Sequence, residues 1–160
     1  MRDELDSILK IITGLEGTLQ ARAEALCEAF SAKRNQMRDE LQERAKTTAD
    51  VGKNGSLYAP LFISQRVHRG TLELHWAEMH FPKLRSGEKT GKRYIYIPKV
   101  NLTDYSIPDL KRRARPFEQD LVVETEQQAR QVRRAWHKVA DLRRQVRKLR
   151  DRDEDAHLTG

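Results

Sequence analysis

The stretch TLELHWAEMHF (71–81) alternates apolar and polar side chains, with Leu72, Leu74 and Trp76 on one face and Glu73, His75 and Ala77 on the other. A period of two is that of a half-buried β-strand. Upstream, LYAPLFISQRV (57–67) is rich in β-forming residues and has Pro60 near its start. Arg69-Gly70 between them reads as a tight hairpin. Downstream, RYIYI (93–97) alternates Tyr94 and Tyr96 with Ile95 and Ile97, and the intervening LRSGEKTGKR (84–93) reads as a long, flexible, basic connection. A three-stranded antiparallel meander over 57–99 is the economical interpretation. Trp76 shares its face with Leu72 and Leu74, so it belongs to the core; the isoleucines can fill the same side, which leaves a tyrosine face in water.

Helical periodicity flanks this module on both sides. From Arg2 to about Lys46, Leu5, Ile8, Ile12, Leu15, Leu19 and Leu26 keep a 3-4 rhythm, with Arg22 at one seam position and Phe30, Met37 and Leu41 continuing it. Such a helix needs a second long helix beside it. TTADVGKNGS (47–56) has turn residues and no periodicity, and ends it. After Lys99, Ser106 can cap a short helix with Pro108 in its first turn, and Pro116 can open the next. From Phe117 to about Arg152 the pattern is helical again: Val132, Val139 and Val146 recur every seven residues, as do Leu121, Ala135, Leu142 and Leu149. The expected fold is therefore α+β. Long N- and C-terminal helices, paired as an antiparallel hairpin or a coiled coil, flank a small three-stranded antiparallel sheet. The segments are 1–46, 57–99, 105–152 and an acidic, fraying tail at 153–160.

Composition agrees with that outline. The chain has 160 residues, 38% hydrophobic and 34% charged, which suits one thinly stocked domain of elongated helices and not a large enzyme with a deep cleft. The N-terminus MRDELDSILKIITGLEG alternates charged and apolar residues, unlike a signal peptide, and no run approaches a membrane span. The expectation is a soluble cytoplasmic protein without a membrane partner. Cys27 is the only cysteine, so no intrachain disulfide or cysteine-based zinc site can form; in its helical apolar stretch it reads as a small hydrophobe.

Catalytic and metal signatures fail on spacing. GEKTGKR (87–93) looks like a phosphate loop, but its glycines are one residue too close and Arg93 stands where the hydroxyl belongs. His75 and His80, like Glu73 and Glu78, differ by an odd number and point to opposite faces of a strand. His68, His137 and His157 add no ligand spacing, and there is no G-x-S-x-G. Neither enzyme, metal nor cofactor is expected.

Charge is more informative. The net +7 comes from 31 basic and 24 acidic residues, and its distribution is uneven. Residues 51–116 carry 13 basic against 5 acidic side chains, whereas residues 1–50 carry 8 against 10 and residues 117–160 carry 10 against 9. Lys83, Arg85, Lys89, Lys92, Arg93 and Lys99 gather around the hairpin, and Lys111, Arg112, Arg113 and Arg115 follow. Two clusters on a thin β module suit a nucleic-acid backbone, where each neutralised phosphate releases counterions. Tyr94 and Tyr96 are available for base stacking; a solvated hairpin tip and a wet sheet face are the plain alternatives. The basic residues of the last helix suit either a polyanion or pairing with Glu24, Glu28, Glu40 and Glu43 of the first.

The order Trp76, a basic hairpin ending RYIYIPK, Tyr105, then ARPFEQDLVVETEQQARQVRR resembles the MobI family of conjugative-transfer proteins. The resemblance spans about residues 57–145 and picks out Trp76, Phe117-Glu118 and Glu124 or Glu126. It implies an accessory factor of conjugative plasmids or integrative elements that acts on DNA at the origin of transfer, beside a relaxase that cuts the strand. Two readings follow. One is a non-enzymatic DNA-binding protein, with the valine and leucine seam (Leu121, Val132, Val139, Leu142, Val146, Leu149) allowing a homodimer unless the two long helices pair within one chain. The other is a helical adaptor, such as a mobile-element or phage regulatory or structural protein, that recruits a partner protein and does not touch DNA.

Overall fold

The computed structural model describes residues 2–47, 57–80, 91 and 93–158. Its elements are α1 (Arg2–Thr47), β1 (Leu61–His68), β2 (Thr71–His80), β3 (Arg93–Tyr96), α2 (Ile107–Arg113), a 3-10 turn at Pro116–Glu118 and α3 (Gln119–Leu158). The α+β expectation holds.

The strands form one antiparallel sheet in the order β1-β2-β3. Leu61 pairs with Glu78 and His68 with Thr71 across the first hairpin, and Ala77 pairs with Tyr96 across the second. Arg69 (φ 50) and Gly70 (φ 72) form the two-residue turn. Both sit in the left-handed region, whose twist matches that of the strands it joins. β1 starts just after Pro60, whose carbonyl accepts from Met79 N at 2.8 Å. Ser106 caps α2 as expected, its Oγ accepting from Asp109 N at 3.3 Å.

α1 and α3 lie antiparallel within the one chain. Glu124 near the start of α3 meets Lys33 late in α1 (3.8 Å), and Arg143 further along α3 meets Glu16 early in α1 (2.6 Å). The sheet rests its Leu61, Ile63, Leu72, Leu74, Trp76 and Ile97 face on the middle of this hairpin, where Phe30 meets Trp76 edge-on at 5.1 Å and Val122, Ala129, Val132 and Trp136 complete the core. Leu121, Val132 and Val146 are buried as seam residues. A smaller cluster of Leu5, Ile12 and Val146, with Leu9 and Val139 against it, continues beyond the sheet.

The helical seam corrects the sequence reading on both long helices. Leu142 (44%) and Leu149 (52%) are exposed, as are Ile8 and Leu15. A helix has one seam, and α3 gives it to the large indole of Trp136 and not to its neighbour Ala135. The following seven-residue steps then land on Arg143 and Arg150, and Leu142 and Leu149 turn about 100° away. On α1, Leu9, Glu16 and Ala23 likewise displace Ile8, Leu15 and Arg22. α3 also continues to Leu158, past the expected end at Arg152.

Candidate nucleic-acid interface

Of the ten cations singled out from the sequence, Lys83, Arg85, Lys89 and Lys92 lie outside the described residues. Arg93 opens β3, exposed and with no ion-pair or hydrogen-bond partner among the described side chains. The 111–115 cluster is folded back to the same end of the sheet. Arg113 joins Asp109 of its own helix (Nε to Oδ2, 2.9 Å) to Glu78 of β2 (Nη1 to Oε1, 3.0 Å), and Glu78 is in register with Ile95, two residues from Arg93. That cluster is partly committed to holding the fold: Arg112 also pairs with Asp109, and Arg115 Nε donates to the Tyr58 carbonyl at 2.9 Å. Lys111 remains exposed with its ammonium group unpaired among the described residues. Lys99 places its Nζ 6.0 Å over the Tyr105 ring. Burial, then the neighbouring Arg133, holds its pKa below the usual lysine value.

The side of the sheet away from the helices carries Phe62 and Ser64 from β1, His75 and Ala77 from β2, and Tyr94 and Tyr96 from β3. The rings form two edge-to-face pairs, Phe62 with Tyr94 (centroids 5.1 Å apart) and His75 with Tyr96 (4.5 Å). Tyr94 is 49% exposed and Tyr96 56%. Ser64 Oγ lies 2.9 Å from His75 Nε2. Desolvation first, then Arg66, lowers the imidazole pKa, so His75 is neutral near pH 7. Arg66 pairs with Glu73 at the rim. The expected exposed tyrosine face and the expected core position of Trp76 are both observed, but of the two isoleucines expected on the core side only Ile97 is buried and Ile95 is exposed.

A buried polar network lies under the sheet, and only part of it was legible beforehand. Trp76 Nε1 donates to Glu126 Oε2 (2.8 Å), and Glu126 Oε1 accepts from Tyr105 N (3.2 Å) and Arg133 Nη2 (2.5 Å). Arg133 also donates to the Leu74 carbonyl (3.3 Å) and to the Thr103 carbonyl, and its guanidinium lies over the Tyr105 ring. Of the carboxylates marked by the family pattern, Glu126 is the one that meets Trp76, while Glu124 is a surface partner of Lys33. Glu118 instead closes the 3-10 turn, accepting from Arg115 N at 3.1 Å, and burial raises its pKa. The signal for Arg133 was its seven-residue step from Glu126 on the buried stripe of α3. A charge count alone assigns it to solvent.

A second basic region follows the helical hairpin from the Arg69-Gly70 turn outward. One groove of about 440 Å³ is lined by Arg69, His137, Arg143, Arg144 and Arg147 among others, and an adjoining one of about 560 Å³ by Lys10, Arg143, Arg147 and Arg150 with Asp6 and Thr13. Pairing between the helices occurs, here through acids other than Glu24 and Glu40. Arg143 takes Glu16 and Arg150 takes Asp6 (3.7 Å), whereas Glu24 accepts from Gln20 and Gln65 and Glu40 from Gln36.

Among the described residues no helix is long and apolar enough to cross a membrane. A family model described as MobI protein matches residues 19–147, which takes in most of both long helices, the whole sheet and the Trp76–Glu126 network. No curated protein and no solved structure matches the chain.

Proposed function

The chain belongs to the MobI protein family, a mobilisation-related group, and from that premise we propose that it is a non-enzymatic DNA-binding accessory factor of conjugative transfer, acting in the cytoplasm at the origin of transfer beside a relaxase. The observation that carries this reading is that Arg93 and the basic 111–115 segment lie at one end of a thin sheet. Arg113 draws the 111–115 cluster against Glu78, beside the strand that Arg93 opens, so cations distant in sequence face the same partner. Phosphates are the partner that such a cluster suits, because each contact releases condensed counterions. Lys83, Arg85, Lys89 and Lys92 belong to the same site in this reading, with Lys111 and Arg112 beside them and Lys99 past the other end of β3, over the Tyr105 ring. Gel-shift titration with an origin-of-transfer duplex tests it: affinity is expected to fall steeply with rising salt, and Lys89→Ala/Lys92→Ala/Arg93→Ala to weaken binding without altering the thermal melt. No binding at low salt, or no salt dependence, rejects it. Co-purification with a relaxase encoded nearby tests the partnership.

The homodimer in this reading uses a surface other than the α1–α3 seam, which the chain fills itself. Ile8, Ile11 and Leu15 of α1 and Leu142 and Leu149 of α3 are exposed on the same flank of the hairpin, opposite Asp6, Thr13 and Arg147. Glu16 faces Arg143 and Asp6 faces Arg150, so Leu15 is level with Leu142 and Ile8 with Leu149. A two-fold axis along the helices preserves those levels. It lays Leu15 on the partner's Leu142 and Ile8 on the partner's Leu149. Light scattering is expected to give a dimer that Leu142→Asp/Leu149→Asp converts to a monomer; a monomeric wild type at micromolar concentration rejects it. The helical-adaptor alternative draws on the same exposed strip and is favoured if a partner protein is lost with Leu142→Asp while DNA binding is absent.

A further inference from the structure

We infer that the open face of the sheet is a stacking platform for unpaired nucleobases, so that this protein binds single-stranded DNA with an aromatic surface that adjoins its phosphate-binding cations. The inference rests on the DNA-binding reading and names the form of DNA that one surface takes.

The open face holds aromatic rings where a wet sheet face is usually polar. Phe62, His75, Tyr94 and Tyr96 come from all three strands and meet in two edge-to-face pairs. In register, Phe62, Ala77 and Tyr96 form one row across the sheet, and Ala77 is fully covered although it points away from the helices. With only a methyl group at the middle of the row, the flanking rings can lie over the strand. The result is an aromatic pavement in which the two rings of each pair stand nearly perpendicular to each other.

Such a pavement has a restricted choice of nucleic-acid partner. In a duplex the faces of the bases are covered by their neighbours in the stack, and cations alone are enough to hold its phosphates. An unpaired base exposes both π-faces, and every base has them, so aromatic side chains hold single strands with little sequence preference. Tyr94 and Tyr96 are two residues apart on one strand, about 6.6 Å, a step that successive bases of an extended strand can follow. Among the described residues Tyr94 and Tyr96 keep about half of their surface in solvent. The charge is suitably placed: Arg93 precedes Tyr94 directly, Lys99 follows Tyr96 by three residues, and the only acidic side chain on the central strand's open face, Glu73, is neutralised by Arg66. His75 is held neutral, so it acts as a ring and not as a charge.

Fluorescence anisotropy with an oligo-dT strand and a duplex of equal length, each titrated with salt, tests the assignment. Tyr94→Ala/Tyr96→Ala should lower oligo-dT affinity by about tenfold or more, since one stacked base is worth ~1–3 kcal/mol and 1.4 kcal/mol is tenfold. The slope against salt should stay as in the wild type, because no phosphate contact is removed. Tyr94→Phe/Tyr96→Phe should retain the affinity, and duplex binding should change less than about twofold. Both tyrosines are half exposed, and an unchanged thermal melt confirms the fold of each variant. Equal oligo-dT affinity in the alanine variant and the wild type, or an equal loss on the duplex, overturns the platform. So does a wild type that binds duplex and ignores oligo-dT, a result that leaves the DNA-binding reading standing. A wild type that binds neither rejects that reading, and the platform with it.

Discussion

The residues that organise this molecule are charged and buried. Glu126 and Arg133 are both almost without solvent contact, and between them they engage the Trp76 indole, the Tyr105 amide and the carbonyls of Leu74 and Thr103. Breaking one side of such a pair leaves a desolvated charge, so Arg133→Met is expected to cost about 3–5 kcal/mol in a urea melt. Glu126→Leu/Arg133→Met should cost clearly less than the two single changes together, because the second substitution removes the orphaned charge. Asp104 gives the network an acid sensitivity. Burial opposes its charge, but hydrogen bonds from Thr103, Asn101 and Arg134, with the Arg130 guanidinium nearby, prevail and hold the carboxyl at about 2. A depressed carboxyl stabilises the fold above its ordinary value and loses that effect as pH falls through the folded value. Wild type is therefore expected to lose on the order of 1 kcal/mol relative to Asp104→Asn between about pH 4 and pH 2 in thermal melts, a figure reduced for its position near solvent. None of this is readable from composition, where Glu126 and Arg133 count as two more surface charges.

The strands were legible and the helical registers only partly so, for a physical reason. A strand offers two faces, and alternation in 71–81 assigns every side chain to one of them, as Trp76 and Leu74 confirm. A helix offers a continuum of faces, and when apolar residues lie on two neighbouring stripes the partner decides which one is buried. In α3 the stripe of Trp136, Arg143 and Arg150 wins over that of Ala135, Leu142 and Leu149 because it seats the indole and lets two arginines reach Glu16 and Asp6. The turn between β1 and β2 was also legible, though its first residue is a poor fit. Arg69 has φ 50, a conformation that costs an ordinary L-residue roughly 1–2 kcal/mol. Arg69→Asn is expected to stabilise the fold by about 0.5–1 kcal/mol in a chemical melt, since asparagine tolerates that region and suits the first position of this turn before glycine.

At the scale of the molecule, a sheet sits across the middle of a helical hairpin and leaves one end of that hairpin free. The arrangement separates three surfaces: a basic end of the sheet, an aromatic open face, and an apolar flank on the hairpin. The sequence by itself determined the order of elements, the strand faces, the cap at Ser106, the opening of a helical turn at Pro116, and the concentration of positive charge in residues 51–116. All of these are local, set by the pitch of one strand or helix and by the chemistry of one turn. Only the tertiary structure decided that the long helices pair within the chain, that Glu126 and not Glu124 meets Trp76, that part of the 111–115 cluster is spent on Glu78, Asp109 and the Tyr58 carbonyl, and that Leu142 and Leu149 face outward. Those outcomes are competitions between distant groups for one buried position. Their result depends on which pairing fills space and satisfies charge together, and no window of sequence contains both competitors.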